Sequence, residues 1–225
     1  MRKFLYADKF FMNSATRGPG YLEIVEGKFG AYTKELPAGD HEVIDKSGSW
    51  IAPGLVDTHI HGYKNHDVMD NDAEGLKVMS EGLLECGVTS YLPTTLTSSK
   101  ERLKDVAATI ASVKDDVTGA KIQGIYFEGP FFTEEHKGAQ NPIYFGDPDL
   151  DTFHEWQEAA QGLIKKIALA PERKGVKEFV STVTKEGVVV SLGHSNATLE
   201  EAEEAVDAGA SVFVHAYNGM RGLNH

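Results

Sequence analysis

Five residues in this 225-residue chain combine metal-binding side chains with matching places in a repeating pattern: His59, His61, Glu128, His194 and His215. His59 and His61 form a His-x-His pair in the run LVDTHIHG. Along a strand, positions i and i+2 face the same way, so both imidazoles share one side. Glu128 ends the apolar part of IQGIYFEGP, His194 that of VVVSLGHS, and His215 that of SVFVHAYN. Taken singly, each has an ordinary structural reading: a hydrogen-bonded histidine near a strand end, or a loop carboxylate before Gly129-Pro130. Taken together, imidazoles from three strand ends and one carboxylate make a ligand set suited to zinc or a similar divalent ion. Asp57 precedes His59 by two positions and is either a partner that orients a histidine or a turn-capping residue after PGLV. His41, His66, His136 and His154 read as surface or loop residues.

The elements that must position these groups are legible from periodicity. After Leu55, six short apolar runs rich in branched and aromatic residues alternate with amphipathic stretches: LVDTHIHG, VTSYLPTT, IQGIYFEGP, IKKIALAPE, VVVSLGHS and SVFVHAYN. Runs of this kind suit strands buried on both faces. Leu76, Met79 and Leu83 share one face of the first predicted helix. Ser98 with Glu101, and Thr198 with Glu201, are capping-box signatures, and Gly87 and Gly209 stand where helices end. Repeated strand–helix order predicts a parallel sheet with right-handed crossovers. The fold class is therefore α/β, a (β/α)8 TIM-type barrel of which about six βα units are present, with the polar residues at the C-terminal strand ends where such barrels place their sites. A doubly wound open sheet is the rival, but the first βα turn lacks a Gly-rich fingerprint. Residues 1–51 differ: YLEIVEGKFGAY and HEVIDKSGSWIAP alternate and are broken by Gly, Pro and Asp, the pattern of small antiparallel strands. The expected domains are a small β domain over 1–51 and a barrel over 52–225, incomplete at its C-terminal end.

Composition narrows the partners. The formal net charge of −12, from 34 acidic and 22 basic residues, argues against a broad nucleic-acid-binding face, whereas a small phosphate needs only one or two local donors. No apolar run approaches the roughly 20 residues that span a membrane. The N-terminal MRKFLYADKFFMNS is broken by Asp8 and Lys9 and carries no readable secretory signal. Cys86 is the one cysteine, so no internal disulfide forms; it reads as a small packing residue, and the expected location is cytoplasmic.

The segment PGLVDTHIHG at 53–62 resembles the amidohydrolase superfamily. FEGPFFTEEHKGAQNP at 127–142, SLGHSNAT at 191–198, HAYNGM at 215–220 and APE at 170–172 are similar, within it, to the N-acetylglucosamine-6-phosphate deacetylases. The resemblance implies metal-dependent hydrolysis of the acetamide of N-acetyl-D-glucosamine 6-phosphate to glucosamine 6-phosphate and acetate, in amino-sugar catabolism. It implies a small N-terminal β-sandwich domain beside the barrel. It assigns Glu128, His194 and His215 to a first divalent ion and His59 and His61 to a possible second, with zinc the leading metal and iron, manganese, cobalt or nickel as alternatives. Ala139, Gln140, Asn218, Gly219 and His225 match substrate-binding positions; Gly219 stands where alanine is commoner. The family's proton-transfer aspartate and phosphate-binding arginine are expected beyond residue 225. No catalytic residue is therefore assigned within this chain, which is expected to be truncated and inactive by itself. The implied assembly is a homodimer or homotetramer, with neither nucleic acid nor membrane as a partner. The competing readings are an amidohydrolase acting on a cyclic amide, a class that usually carries lysine where Glu128 stands, and a non-catalytic metal-binding barrel fragment.

Overall fold

The alternating residues at the start of the chain form strands because their branched and aromatic side chains fit a pleated, half-buried surface. The computed structural model describes residues 2–222, so the expected substrate position His225 lies outside the described residues. The chain divides into two compact units, Met1–Gly54 and Leu55–His225. In the first, β1 (Arg2–Met12), β2 (Ala15–Arg17), β3 (Gly20–Val25), β4 (Lys28–Thr33) and β5 (His41–Ile51) form one five-stranded sheet. β1 pairs antiparallel with β2 and β3 but in parallel with β5. The sheet is thus mixed rather than wholly antiparallel; a pairing between strands this far apart in sequence leaves no trace in local alternation. Leu5, Ala7, Phe10 and Leu22 bury one face of it.

In the second unit, β6 (Leu55–Ile60) leads through a short hairpin, β7 (Gly62–Tyr63) and β8 (His66–Asp67), into helix α1 (Ala73–Leu83). The pattern then repeats as β9 (Val88–Thr95), α2 (Lys100–Val113), the short β10 (Lys121–Ile122), β11 (Ile125–Phe131), α3 (Leu150–Ala159), β12 (Ile164–Leu169), α4 (Val176–Lys185), β13 (Val189–Leu192), α5 (Leu199–Asp207) and β14 (Val212–Phe213). Strands β6, β9, β11, β12, β13 and β14 lie side by side in chain order, and every pairing among them is parallel. A doubly wound sheet reverses its strand order at a switch point; this one does not. The curled sheet is part of a (β/α)8 barrel.

Strand alternation sorts the side chains of the barrel. Ile125 and Phe127 pack with Leu103, Phe153, Trp156 and Phe179 in the layer between sheet and helices, whereas Tyr126 joins Ala168, Phe132 and Val214 in a separate inner cluster. Glu128, two residues after Tyr126, follows it inward. Leu76, Met79 and Leu83 of α1 are all buried, as the helical spacing predicts. Thr198 and Glu201 form a reciprocal capping box on α5. On α2 the cap is one residue later than expected: Ser99, not Ser98, accepts from the Arg102 amide. Two other expectations fail for local reasons. β6 has β9 as its one partner strand among the described residues, so Leu55 and Val56 stay 62% exposed instead of buried. Cys86 is exposed with its Sγ 3.2 Å from the Tyr63 hydroxyl, not packed in the core.

Candidate metal centre

Glu128 is the hub of the inner surface. It is 3% exposed, and four imidazoles converge on its carboxylate. His59 Nε2 lies 3.2 Å and His215 Nε2 3.2 Å from Oε1, with His194 Nε2 3.4 Å from the same oxygen. His61 Nε2 lies 3.0 Å from Oε2. The five residues form two groups able to hold an ion, His59–His61–Glu128 and Glu128–His194–His215, with ligand atoms in each lying within 4.8 Å of one another. Glu128 belongs to both. Burial by itself would raise the Glu128 pKa; the close contacts of the His194, His59 and His61 rings with the carboxylate more than offset it and hold the carboxyl well below the usual carboxylate range.

The two histidine pairs are presented differently. His59 and His61 sit at and just past the end of β6, where the period of two turns both rings to one side. Their Nε2 atoms are 3.2 Å apart. Asp57 accepts from the His59 backbone N–H at 3.0 Å, so it steadies the main chain rather than the imidazole. His194 and His215 lie just past the ends of β13 and β14, with φ of 48° and 28°, in the left-handed region that residues with a Cβ rarely adopt. Such backbone conformations cost about 1–3 kcal/mol and persist only where surroundings enforce them. The enforcing contacts are visible. Glu172 accepts from Ser195 Oγ at 2.8 Å and from the Asn196 amide at 2.6 Å. The Ser195 amide donates to Gly219 O at 3.0 Å, and the Asn218 amide to His215 O at 2.8 Å.

The ring protons can be assigned. His61 Nδ1 is 3.1 Å from Thr94 O, His194 Nδ1 is 2.9 Å from His136 O, and His215 Nδ1 is 2.9 Å from Asn218 O. A carbonyl oxygen only accepts, so each Nδ1 carries the proton and each neutral ring offers a bare lone pair at Nε2. Yet the Nε2 atoms of His194 and His215 face each other at 3.2 Å. Two lone pairs at that distance repel. A cation placed between them and the Glu128 carboxylate makes every one of these contacts favourable, and backbone carbonyls behind the rings are the usual outer partners of metal-bound histidines. The residues fit a divalent metal. Glu128 and His194 are nearly closed off, with side chains 3% and 8% exposed, while His59, His61 and His215 keep 26%, 31% and 30%. The centre is held from below and open on one side.

The remaining candidate residues fall into two groups. Gln140 is 3% exposed and reaches the centre itself: its Nε2 donates to Glu128 Oε2 at 2.9 Å. Ala139 beside it is exposed. Asn218 is exposed and Gly219 half-buried, and both lend backbone oxygens to the loops that carry His215 and His194. The roles of Glu172 and of the carbonyls of Thr94 and His136 had no sequence signal beyond the APE segment that contains Glu172. His66 lies 4.0 Å from Asp72 and His154 2.9 Å from Glu186, both outside the centre. His136 contributes its carbonyl alone.

A partial (β/α) barrel with a His/Glu cluster at its C-terminal strand ends defines a class, the barrel metallohydrolases. The sequence model of the amidohydrolase family matches residues 50–221, and the chain belongs to that family. The chain is 40% identical to an N-acetylglucosamine-6-phosphate deacetylase of Vibrio furnissii over 176 residues, covering 78% of this chain and 44% of that protein. It is 35% identical to an N-acetylgalactosamine-6-phosphate deacetylase of Escherichia coli O157:H7 over 205 residues, 91% of this chain and 53% of the relative. The fold superposes on the N-acetyl-D-glucosamine-6-phosphate deacetylase of Mycobacterium smegmatis, an aspartate-to-alanine mutant in complex with N-acetyl-D-glucosamine-6-phosphate, with a TM-score of 0.88 at 28% identity, covering 99% of this chain and 57% of that one. The chain spans about half the length of the curated relatives it matches. No helix among the described residues is long and apolar enough to cross a membrane.

Proposed function

We propose that this chain is the metal-bearing part of an N-acetylglucosamine-6-phosphate deacetylase, which hydrolyses the acetamide to glucosamine 6-phosphate and acetate. The observation that carries the reading is the pair of ligand groups sharing Glu128, on a scaffold that matches the Mycobacterium smegmatis deacetylase. Glu128, His194 and His215 would hold a first ion, His59 and His61 a second. Bound there, a divalent ion supplies Lewis-acid polarisation of the amide carbonyl and activation of water. The chain's own residues do the rest of the positioning. Glu128 contributes negative charge that stays ionised in a buried place, and the carbonyls behind the histidines keep their Nε2 lone pairs pointed inward. The exposed sides of His59, His61 and His215 leave an approach for the acetamide. Amide hydrolysis also needs a group that takes a proton and returns it to the leaving amine. The metal-competent groups among the described residues contain no aspartate for that step.

Zinc as the metal, Ala139, Gln140, Asn218, Gly219 and His225 as substrate positions, and assembly as a homodimer or homotetramer belong to the same proposal and rest on the resemblance. So does the reading of residues 1–51 as the N-terminal part of a small β domain and 52–225 as the barrel. The test is acetate release from N-acetylglucosamine 6-phosphate by the protein purified from its source, beside N-acetylgalactosamine 6-phosphate and a cyclic ureide. Acetate release from the glucosamine derivative is the expected outcome. Ring opening of the ureide without acetate release from either sugar would move the protein to the cyclic-amide branch.

A further inference from the structure

Gln140, proposed above as a substrate position, has both ends of its side-chain amide engaged within the protein. Its Oε1 accepts from the Thr97 backbone N–H at 2.8 Å, at the end of β9. A backbone N–H only donates, so this contact fixes which end of the amide is oxygen. The NH2 group must then face Glu128, and it donates to Oε2 at 2.9 Å. At 3% exposure the side chain has little room to turn away. Among the described residues no backbone N–H donates to either Glu128 oxygen, and four imidazoles lie against the carboxylate. Three of those rings carry their proton on Nδ1, so with the histidines neutral their Nε2 atoms do not donate to the carboxylate. Among the described residues, Gln140 is therefore the neutral donor that remains to Glu128 when the histidines serve as metal ligands.

We propose that Gln140 is a positioning residue for the metal centre: it sets the rotation of the Glu128 carboxylate, so that the carboxylate is held toward the two ligand groups that share it. The inference rests on the reading of Glu128 as a shared ligand. Its chemistry is that of an outer-shell carboxamide, a donor that holds a carboxylate's plane without competing for the metal. It also ties the loop that follows β11 to the end of β9, so the loop on which Ala139 is exposed is fastened through the metal ligand itself.

Two substitutions separate positioning from mere loop tethering. Gln140→Glu keeps the shape and an acceptor for the Thr97 amide but replaces the N–H donor with a second carboxylate facing Oε2. Gln140→Leu removes both contacts. Zn2+ affinity is measured by competition with a chromophoric chelator, Co2+-loaded protein is read by its visible absorption band, and thermal unfolding without metal reports folding. The expected result is a loss of Zn2+ affinity of about 10- to 100-fold in both variants, the range for lost outer-shell partners. Gln140→Glu is at least as weak as Gln140→Leu, and both show an altered Co2+ band. Wild-type affinity in Gln140→Glu with weakened binding in Gln140→Leu would reduce Gln140 to a loop tether and overturn the proposal, as would unchanged affinity in both. A wild-type chain that takes up no Zn2+ would instead sink the metal reading beneath it, a result distinguishable from either.

Discussion

The two histidine pairs around Glu128 solve one geometric problem by different means. His59 and His61 are aimed by the strand itself: alternate residues of extended backbone point one way, so no special contact is needed to bring their Nε2 atoms to 3.2 Å. His194 and His215 arrive from two separate loops, and each holds an unfavourable left-handed backbone that a net of hydrogen bonds enforces. Both loop rings have Nδ1 locked to a carbonyl, whereas among the described residues the strand pair has such a lock at His61 alone. The difference teaches where tightness comes from. A strand gives direction without further support, but rings 26% and 31% exposed remain adjustable. The loop pair, strained and fastened, is the more preorganised, and preorganised ligands bind more tightly.

The shared carboxylate sets the scale for tests of that contrast. On the proposed reading of Glu128 as a shared ligand, Glu128→Gln removes the negative charge that both ligand groups use and replaces one of its two oxygens with an NH2 group that cannot bind a metal. Metal content measured by elemental analysis after dialysis should fall by more than about 100-fold in affinity, beyond the loss of an outer partner. Full occupancy in this variant would mean that the histidines suffice and that Glu128 is not the hub. The next effect divides the pairs. Changing His59 and His61 together to alanine should leave one equivalent of Zn2+ bound at near wild-type affinity, while His194→Ala should lose the tight equivalent. Titration showing the reverse order would make the strand pair the primary site and break the comparison.

How much of this was legible in the sequence follows the same division. The strand pair announced itself, because His-x-His spacing maps directly onto a face. His194 and His215 were legible as residues at strand ends, since the apolar runs before them mark where strands stop; Glu128 was singled out in the same way, but β11 runs on to Phe131 and Glu128 lies within the strand. What periodicity could not supply was the support around them. The pinning of the His194 loop by Glu172 joins residues more than twenty positions apart, and the carbonyls of Thr94 and His136 are backbone groups that no residue type encodes. Gln140 was singled out through a motif, but its partners lie far from it in sequence, Thr97 just past the end of β9 and Glu128 within β11. The parallel pairing of β1 with β5 escaped for the same reason. Ser98 and Ser99 are chemically equal candidates for one cap, and only the path of the chain chooses between them.

A smaller effect tests whether the loop net matters. Glu172→Gln keeps the shape but removes the charge that accepts from Ser195 Oγ and the Asn196 amide. Charge-assisted hydrogen bonds contribute about 1.5–3 kcal/mol, so unfolding should shift to lower temperature. Zn2+ affinity at the His194 ion should also drop by about 10-fold, because the ring loses its fixed approach. The same substitution should leave the weaker equivalent at His59 and His61 as it was. Equal weakening of both equivalents would show that the net supports the barrel as a whole and not the loop pair in particular.

The smallest effect separates the loop from the helix that follows it. Thr198 caps α5, accepting from the Glu201 amide while the Glu201 carboxylate accepts from the Thr198 amide. Thr198→Ala removes one of these contacts and should destabilise the chain by about 1 kcal/mol. In a chain of this size that corresponds to a fall in Tm of roughly 2–4 °C. The cap lies four residues after His194, close enough in sequence to disturb it. Yet the loop is fastened ahead of the cap, by Glu172 on Ser195 and Asn196 and by Gly219 on the Ser195 amide. Those contacts remain when the threonine hydroxyl is gone. Zn2+ affinity should therefore stay within error of wild type while Tm falls. A variant that loses affinity in step with stability would show that the helix, not the hydrogen-bond net, holds His194 in its left-handed conformation.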